Sequence, residues 1–277
     1  MKRGFVRSSL LDPDETKRAS AEFAAARPFP HVELRDTLVA EQRTCLIEAF
    51  PTPTWEGWHR YGDAYQQGKM ICNQIEAIPA SLVELIHELQ SPTMLAYLEQ
   101  LTGIEGLIPD PHLEGGGLHL SGPGGILAPH TDFHIYPRLG VYRRVNVLLY
   151  LNEGWEESDG GCLELYEPGA TAPAKIVVPA WGTCVIFRTD DRSPHGFSTP
   201  VVGDRWRRSI ALYYYTAEEP ERYSGDMNTY WQRLPVTTRT ARARQWAYEA
   251  LLLGSRGLGF FAHRIDPNLS RRRRDRP

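Results

Sequence analysis

From about Leu118 to Thr216 the apolar residues recur at every second position, and this period holds for roughly 100 residues. A strand turns successive side chains to opposite faces. The pattern therefore predicts strands at Leu118 to Leu120, Leu127 to Tyr136, Val145 to Leu151, Cys162 to Tyr166, Lys175 to Val178, Thr183 to Arg188, Gly196 to Val201 and Arg207 to Thr216. Gly, Pro and Asp turns separate them. Eight short strands must close on themselves or stack in two layers to bury their apolar faces. The expected fold is mainly β with flanking helices, built on an antiparallel sandwich or jelly-roll core.

The flanks read differently. Residues 1–28 mix charges with alanines and run into Pro28 and Pro30, which predicts a mobile or loosely packed arm, helical at most over Ala19 to Ala26. A short strand at His31 to Leu34 follows. Between 39 and 103 the spacing is helical: first Val39 to Phe50, then a helix with a Ser81/Glu84 capping-box pattern, then one capped by Ser91 with Pro92 at its first position and Gly103 past its end. Trp55, Trp58, His59, Tyr61 and Tyr65 crowd with Gly57, Gly62 and Gly68, and such a segment builds either a substrate-covering loop or a loop pinned onto the core. After Thr216, Met227 to Arg233 and Thr240 to Leu253 read as helices, the second stopped by Gly254. The expected organisation is an arm (1–28), one domain (29–216) with its helical part at 39–103 and jelly-roll core at 116–216, a helical extension (217–262) and an Arg-rich tail (263–277).

Several classes are disfavoured. No run approaches 18 apolar residues, and Lys2, Arg3 and Arg7 are followed by Asp12, Asp14 and Glu15 where a signal peptide needs an apolar core, so a cytoplasmic, non-membrane protein is expected. Cys45, Cys72, Cys162 and Cys184 form no CxxC pair, which excludes a zinc ribbon and suits reduced thiols. A net charge of −3 speaks against a nucleic-acid partner, although six arginines against two aspartates from Arg264 onward give the tail a local positive charge.

The chemistry concentrates at Ala-Pro-His-Thr-Asp-Phe-His, residues 128–134. His130 and Asp132, two apart on a strand, project the same way and supply two of the three ligands of a 2-His-1-carboxylate site for non-haem Fe(II). His134 continues the alternation, but three ligands along one strand would span about 13 Å at about 3.3 Å per residue, too far for one metal, so it is a neighbour of the site or an edge histidine. His195 opens a later strand, and a jelly roll can bring it across the barrel mouth to the pair. On the last strand, alternation puts Arg207, Ser209, Ala211 and Tyr213 on one face. The small residues beneath Arg207 leave room for an anion that its guanidinium would clamp, unless a bulge gives that place to Arg208.

The ordered set of His-Thr-Asp, Arg-Arg-Val-Asn-Val-Leu-Leu-Tyr-Leu-Asn, Gly-Gly-Cys-Leu-Glu-Leu-Tyr, Val-Pro-Ala-Trp-Gly-Thr-Cys-Val-Ile-Phe, His195 and Arg-Arg-Ser resembles the prolyl-hydroxylase-like branch of the Fe(II)/2-oxoglutarate dioxygenases over about residues 116–216. The resemblance implies a double-stranded β-helix with His130, Asp132 and His195 as iron ligands. It also implies Arg207 as the partner of the distal carboxylate of 2-oxoglutarate, with Tyr150 beside it. Asn146, on the same strand face as Tyr150, and Ser209 are expected in the co-substrate pocket. The reaction implied consumes O2 and 2-oxoglutarate, releases succinate and CO2, and hydroxylates an unactivated C–H. The ligand carboxylate Asp132 argues against halogenation. The substrate implied is a proline-like amino acid, a peptidyl residue or another small molecule, with Tyr213, Trp58, Tyr61 and His134 as candidate contacts. Gly160 and Gly161 read as a turn or bulge. Two other readings stand beside this one: a non-catalytic, cupin-like metal- or ligand-binding module, and an oxygenase of a macromolecule docked by the Arg-rich tail.

Overall fold

The computed structural model describes residues 4–63, 65–220, 229–231, 246, 247, 250, 251 and 254. The chain divides into a unit spanning Met1–Gln232 and a second spanning Arg233–Pro277.

In chain order the first unit contains α1 (Pro13–Ala25), β1 (His31–Leu34), α2 (Arg43–Ala49), β2 (His59–Tyr61), β3 (Gln66–Cys72), α3 (Ala80–Leu89), α4 (Pro92–Thr102), β4 (Ile108–Pro109), β5 (Gly117–Thr131) and β6 (Ile135–Tyr136). It continues with β7 (Val141–Tyr150), β8 (Leu163–Leu165), β9 (Lys175–Val177), β10 (Cys184–Arg188), β11 (His195–Phe197), β12 (Arg207–Thr216) and β13 (Tyr230–Trp231). The main sheet runs β1-β10-β7-β12-β5-β11-β8-β9, all antiparallel, and curls into the barrel of a double-stranded β-helix. On β12, Ile210, Leu212 and Tyr214 pack outward with Leu82, Leu85, Leu98 and Leu101 of α3 and α4, whereas Arg207, Ser209 and Tyr213 face the interior.

β5 organises the barrel. The predicted strand at 118–120 and the first part of that at 127–136 are one strand, bent at Gly122–Gly125, where Gly124 donates to Val201 O and Val201 donates to Gly125 O; Ile135–Tyr136 is the separate β6. Its first half lies between β12 and β3, and its second half pairs with β11 and β13. Gly124, at φ 72°, takes the left-handed backbone that the bend needs.

Several expectations are corrected. The N-terminal arm is packed: Asp12 caps α1 by accepting from Asp14 N and Glu15 N, Pro13 occupies its first position, and Thr16, Ala19 and Phe23 are buried. Phe5 N and Val6 N donate to the Glu88 carboxylate at 2.7 and 3.0 Å, which ties the chain before α1 to α3. Ser81 caps nothing, because α3 begins at Ala80 with Pro79 before it; the Ser91 cap and the left-handed Gly103 do form on α4. The aromatic segment is a hairpin: β2 pairs with β3, and β3 with β5. The domain does not close at 216, since Tyr230–Trp231 adds a strand beside Thr131 and His130 where a helix is expected. In the second unit the described residues 246, 247, 250, 251 and 254 are helical, so Gly254 does not stop that helix; the other residues of this unit, the Arg-rich tail among them, lie outside the described residues. All four cysteines are free thiols, and no described helix is long and apolar enough to cross a membrane.

Candidate active site

His130 of β5 and His195 of β11 are register partners, with ring centroids 4.5 Å apart. Asp132 lies just past the end of β5, its carboxylate oxygens 3.6 Å from His130 Nε2 and 3.8 Å from His195 Nε2. Each ring donates its Nδ1–H to a backbone carbonyl, Ala128 O at 2.9 Å and Ser193 O at 3.0 Å, which fixes the tautomer and leaves both Nε2 lone pairs aimed at the carboxylate. One donor atom from each residue falls within 4.8 Å of the others, and all three side chains are buried. Burial, followed by the charge of His130, pushes His195 down to about 4, so it stays neutral near pH 7. Two imidazole lone pairs and a carboxylate facing one point repel each other, and a divalent cation satisfies all three; the donor set fits Fe(II).

Two further groups hold Asp132. Arg143 Nη1 stands 3.1 Å from Oδ2, and Asn146 Nδ2 donates to the same oxygen at 3.1 Å. Burial by itself would raise the Asp132 pKa; Arg143 above all, then the two histidines, outweigh it and hold the carboxyl well below its ordinary value. Among the described residues Asn146 Oδ1 is buried without a protein partner, an acceptor left for a bound molecule.

The second feature of the cavity is Arg207. Its Nε donates to Gly161 O at 2.6 Å and its Nη2 to the Tyr150 hydroxyl at 3.2 Å, while its guanidinium lies over the rings of Phe197 and Tyr150 at 4.4 and 4.9 Å. Among the described residues no carboxylate pairs with it. Gly161, at φ 61°, permits this approach: a Cβ there would stand 3.1 Å from Arg207 Cδ and 2.9 Å from Val201 Cγ2. Arg208 points the other way, over Phe50. A buried guanidinium beside a phenol hydroxyl, in the same cavity as the three-donor cluster, suits a carboxylate of a co-substrate that also reaches the metal.

The cavity brings His130, Asp132, His195, Arg207, Tyr150, Asn146, Ser209, Tyr213 and Tyr61 together. Two candidate contacts are not part of it. Trp58 is core: it is buried against Phe50 and Trp55, and its indole N–H donates to Thr52 O at 2.8 Å. His134 is buried with Nδ1 3.5 Å from Asp191, because β5 ends at Thr131 and the alternation that would place it beside Asp132 ends there too. Sequence reasoning missed Arg143, Lys69, His119 and Trp231, which also line the cavity. His119 carried a legible signal, since alternation opposes it to Leu118 and Leu120 and it pairs with Ser209.

Residues 116–240 match the model of the 2OG-Fe(II) oxygenase superfamily. A prolyl 3-hydroxylase of Xenopus laevis is 34% identical over 86 residues, which cover 29% of this chain and 17% of that relative's length. Among solved structures, a prolyl-4-hydroxylase of Pseudomonas putida superposes with a TM-score of 0.51 at 19% identity, covering 73% of this chain and 98% of that one. A non-haem α-ketoglutarate-dependent epimerase of nogalamycin biosynthesis superposes with a TM-score of 0.51 at 16% identity, covering 82% and 100%. The structural likenesses speak for the fold. Residues 116–240 of this chain are thus similar to the 2OG-Fe(II) oxygenase superfamily, and the chain spans less than a fifth of the length of the prolyl 3-hydroxylase it matches.

Proposed function

We propose that this enzyme hydroxylates an unactivated C–H of a proline-like amino acid, peptidyl residue or other small molecule, with His130, Asp132 and His195 as the Fe(II) ligands. Arg207 and Tyr150 bind the distal carboxylate of 2-oxoglutarate, and Asn146 and Ser209 line its path. The supporting observation is that one cavity holds both the His130/Asp132/His195 donor cluster and a buried guanidinium without a carboxylate partner among the described residues.

When bound, Fe(II) would supply the activation of O2, one oxygen atom of which would enter the product hydroxyl and the other the succinate that 2-oxoglutarate leaves on losing CO2. The chain supplies placement. The two Nδ1–H bonds orient the imidazoles, Arg143 and Asn146 hold Asp132 ionised, and Gly161 and Tyr150 fix the guanidinium. Trp231, 4.8 Å from the His130 ring, and Tyr61 wall the cavity on the substrate side and limit water.

The test is incubation of the full chain with Fe(II), 2-oxoglutarate and O2, with and without proline and proline-containing peptides. Succinate formation and a substrate mass gain of one oxygen are expected, and both vanish in Asp132→Ala. Absence of any iron- and 2-oxoglutarate-dependent succinate formation by wild type, even uncoupled, overturns the reading.

A further inference from the structure

The charges in the cavity do not balance, and the excess sits on a residue with no role so far. Lys69 of β3 is the register partner of Ser121, and Ser121 on its other side is the partner of Arg207, so one row across three strands places two cations on either side of a small hydroxyl. Both line the cavity. The Lys69 ammonium donates to Gln66 Oε1 at 3.2 Å and lies 5.8 Å from the centre of the Tyr61 ring; among the described residues no carboxylate pairs with it. Burial first, and the repulsion of Arg207, push it down to about 8 against the pull of Asp132 and Asp63, so it remains cationic near pH 7 at a cost that an anion would remove.

Among the described residues the cavity carries one carboxylate, Asp132, against three cations, Arg143, Lys69 and Arg207. Arg143 is engaged by Asp132. On the reading above, the metal and the co-substrate dianion cancel in charge, which leaves Arg207 and Lys69 in excess; Arg207 has the distal carboxylate beside it. Lys69 is the cation without such a partner, on the hairpin wall formed with Tyr61 and Gln66. The Gln66 amide, whose oxygen already accepts from Lys69, has its NH2 left to donate beside the ammonium.

We propose that Lys69, with Gln66 and Tyr61, forms a specificity subsite for a free carboxylate on the primary substrate, so that the enzyme takes a small carboxylic acid such as a free cyclic amino acid in preference to an internal peptidyl residue. This rests on the oxygenase reading. A residue inside a peptide has an amide where the acid has its charge, and an amide cannot compensate the half-buried Lys69 ammonium.

The test measures equilibrium binding to the anaerobic, Mn(II)- and 2-oxoglutarate-loaded full chain for a panel of free L-amino acids, including proline and pipecolate, each paired with its carboxamide and with a capped peptide containing the same residue. Wild type, Lys69→Met and Lys69→Arg are compared, with thermal unfolding as the check on folding. At least one acid is expected to bind roughly 10- to 100-fold more tightly than its carboxamide, to lose that margin in Lys69→Met and to regain part of it in Lys69→Arg, while 2-oxoglutarate affinity moves less than about threefold. Carboxamides or capped peptides that match their acids overturn the proposal, as does a panel in which no acid binds. A tenfold or greater loss of 2-oxoglutarate affinity in Lys69→Met assigns the lysine to the co-substrate instead and also overturns it. The oxygenase reading fails separately, through absent succinate formation by wild type.

Discussion

Arg143 and Asp132 form a buried ion pair, Nη1 to Oδ2 at 3.1 Å, and the guanidinium face is clasped between the rings of Phe133 and Tyr213 at 3.7 and 3.6 Å. Two aromatic faces leave the group little freedom, so its charge is delivered to one carboxylate oxygen in one orientation. Arg143→Gln leaves that carboxylate buried with Asn146 as its remaining fixed donor from β7. A loss of about 3–5 kcal/mol in stability is expected by urea unfolding, together with a roughly 10- to 100-fold weakening of Fe(II) binding by titration. Unchanged metal affinity in a folded Arg143→Gln protein would show that the pair serves stability only.

Arg207 and Arg208 are neighbours on β12 with opposite surroundings, one in the cavity and one over Phe50. Arg207→Ala is expected to raise the KM for 2-oxoglutarate by about 30-fold or more, in keeping with loss of a buried charged partner, and Arg208→Ala by less than about threefold. Gly161→Ala should fall between them, because its Cβ would press on Arg207 Cδ and Val201 while the residue sits at φ 61°. The reverse ranking of the two arginines refutes the assigned face.

His119 gives a pH signature. Burial, then the charges of Lys69 and Arg207, lower it from 6.5 to about 3. Between those values the unfolded chain binds a proton that the folded chain does not, so its contribution is complete above about 6.5 and is lost as pH falls toward about 3. The urea midpoint of metal-free protein should drop between pH 8 and pH 5, and His119→Gln should drop by less over the same interval. An equal drop in both would mean that His119 is not held neutral.

The sequence pattern made the barrel legible wherever alternation runs unbroken. β1 has the bounds expected of it after Pro30, β12 begins and ends where the period places it, and the β12 face that carries Arg207 follows from that period. Breaks in the alternation hid the rest. On β7 the period that places Asn146 and Tyr150 in the cavity would turn Arg143 outward, but the register shifts there: Tyr214 pairs with Val145 and Tyr215 with Arg143, leaving Arg144 as an extra residue that brings Arg143 to the inner face. The strand that carries Lys69 reads Gln-Gln-Gly-Lys-Met-Ile-Cys, without alternation, and its register shifts between Gln67 and Lys69 beside Gly68 at φ 62°. β13 is two residues long and has no period at all.

Trp58 and Trp231 separate packing from recognition. Both are indoles near aromatic neighbours, and composition does not distinguish them. Trp58 is buried in the core with Phe50 and Trp55 and donates to Thr52 O, so Trp58→Ala removes a large side chain from a packed site and should cost about 3–5 kcal/mol. Its effect on kcat/KM of the protein that remains folded should be small. Trp231 is half-buried, stacks on Tyr65 at 5.2 Å and lies 4.8 Å from the His130 ring at the cavity wall. Trp231→Ala opens that wall to water without opening the core, so a stability change under about 1 kcal/mol is expected. Succinate formation should become uncoupled from substrate oxidation, because the target C–H is no longer held against the metal. The measurement is the ratio of succinate to oxidised substrate at saturating 2-oxoglutarate, alongside urea unfolding of both variants. Coupling lost in Trp58→Ala and kept in Trp231→Ala would place the substrate wall on the wrong side of the hairpin.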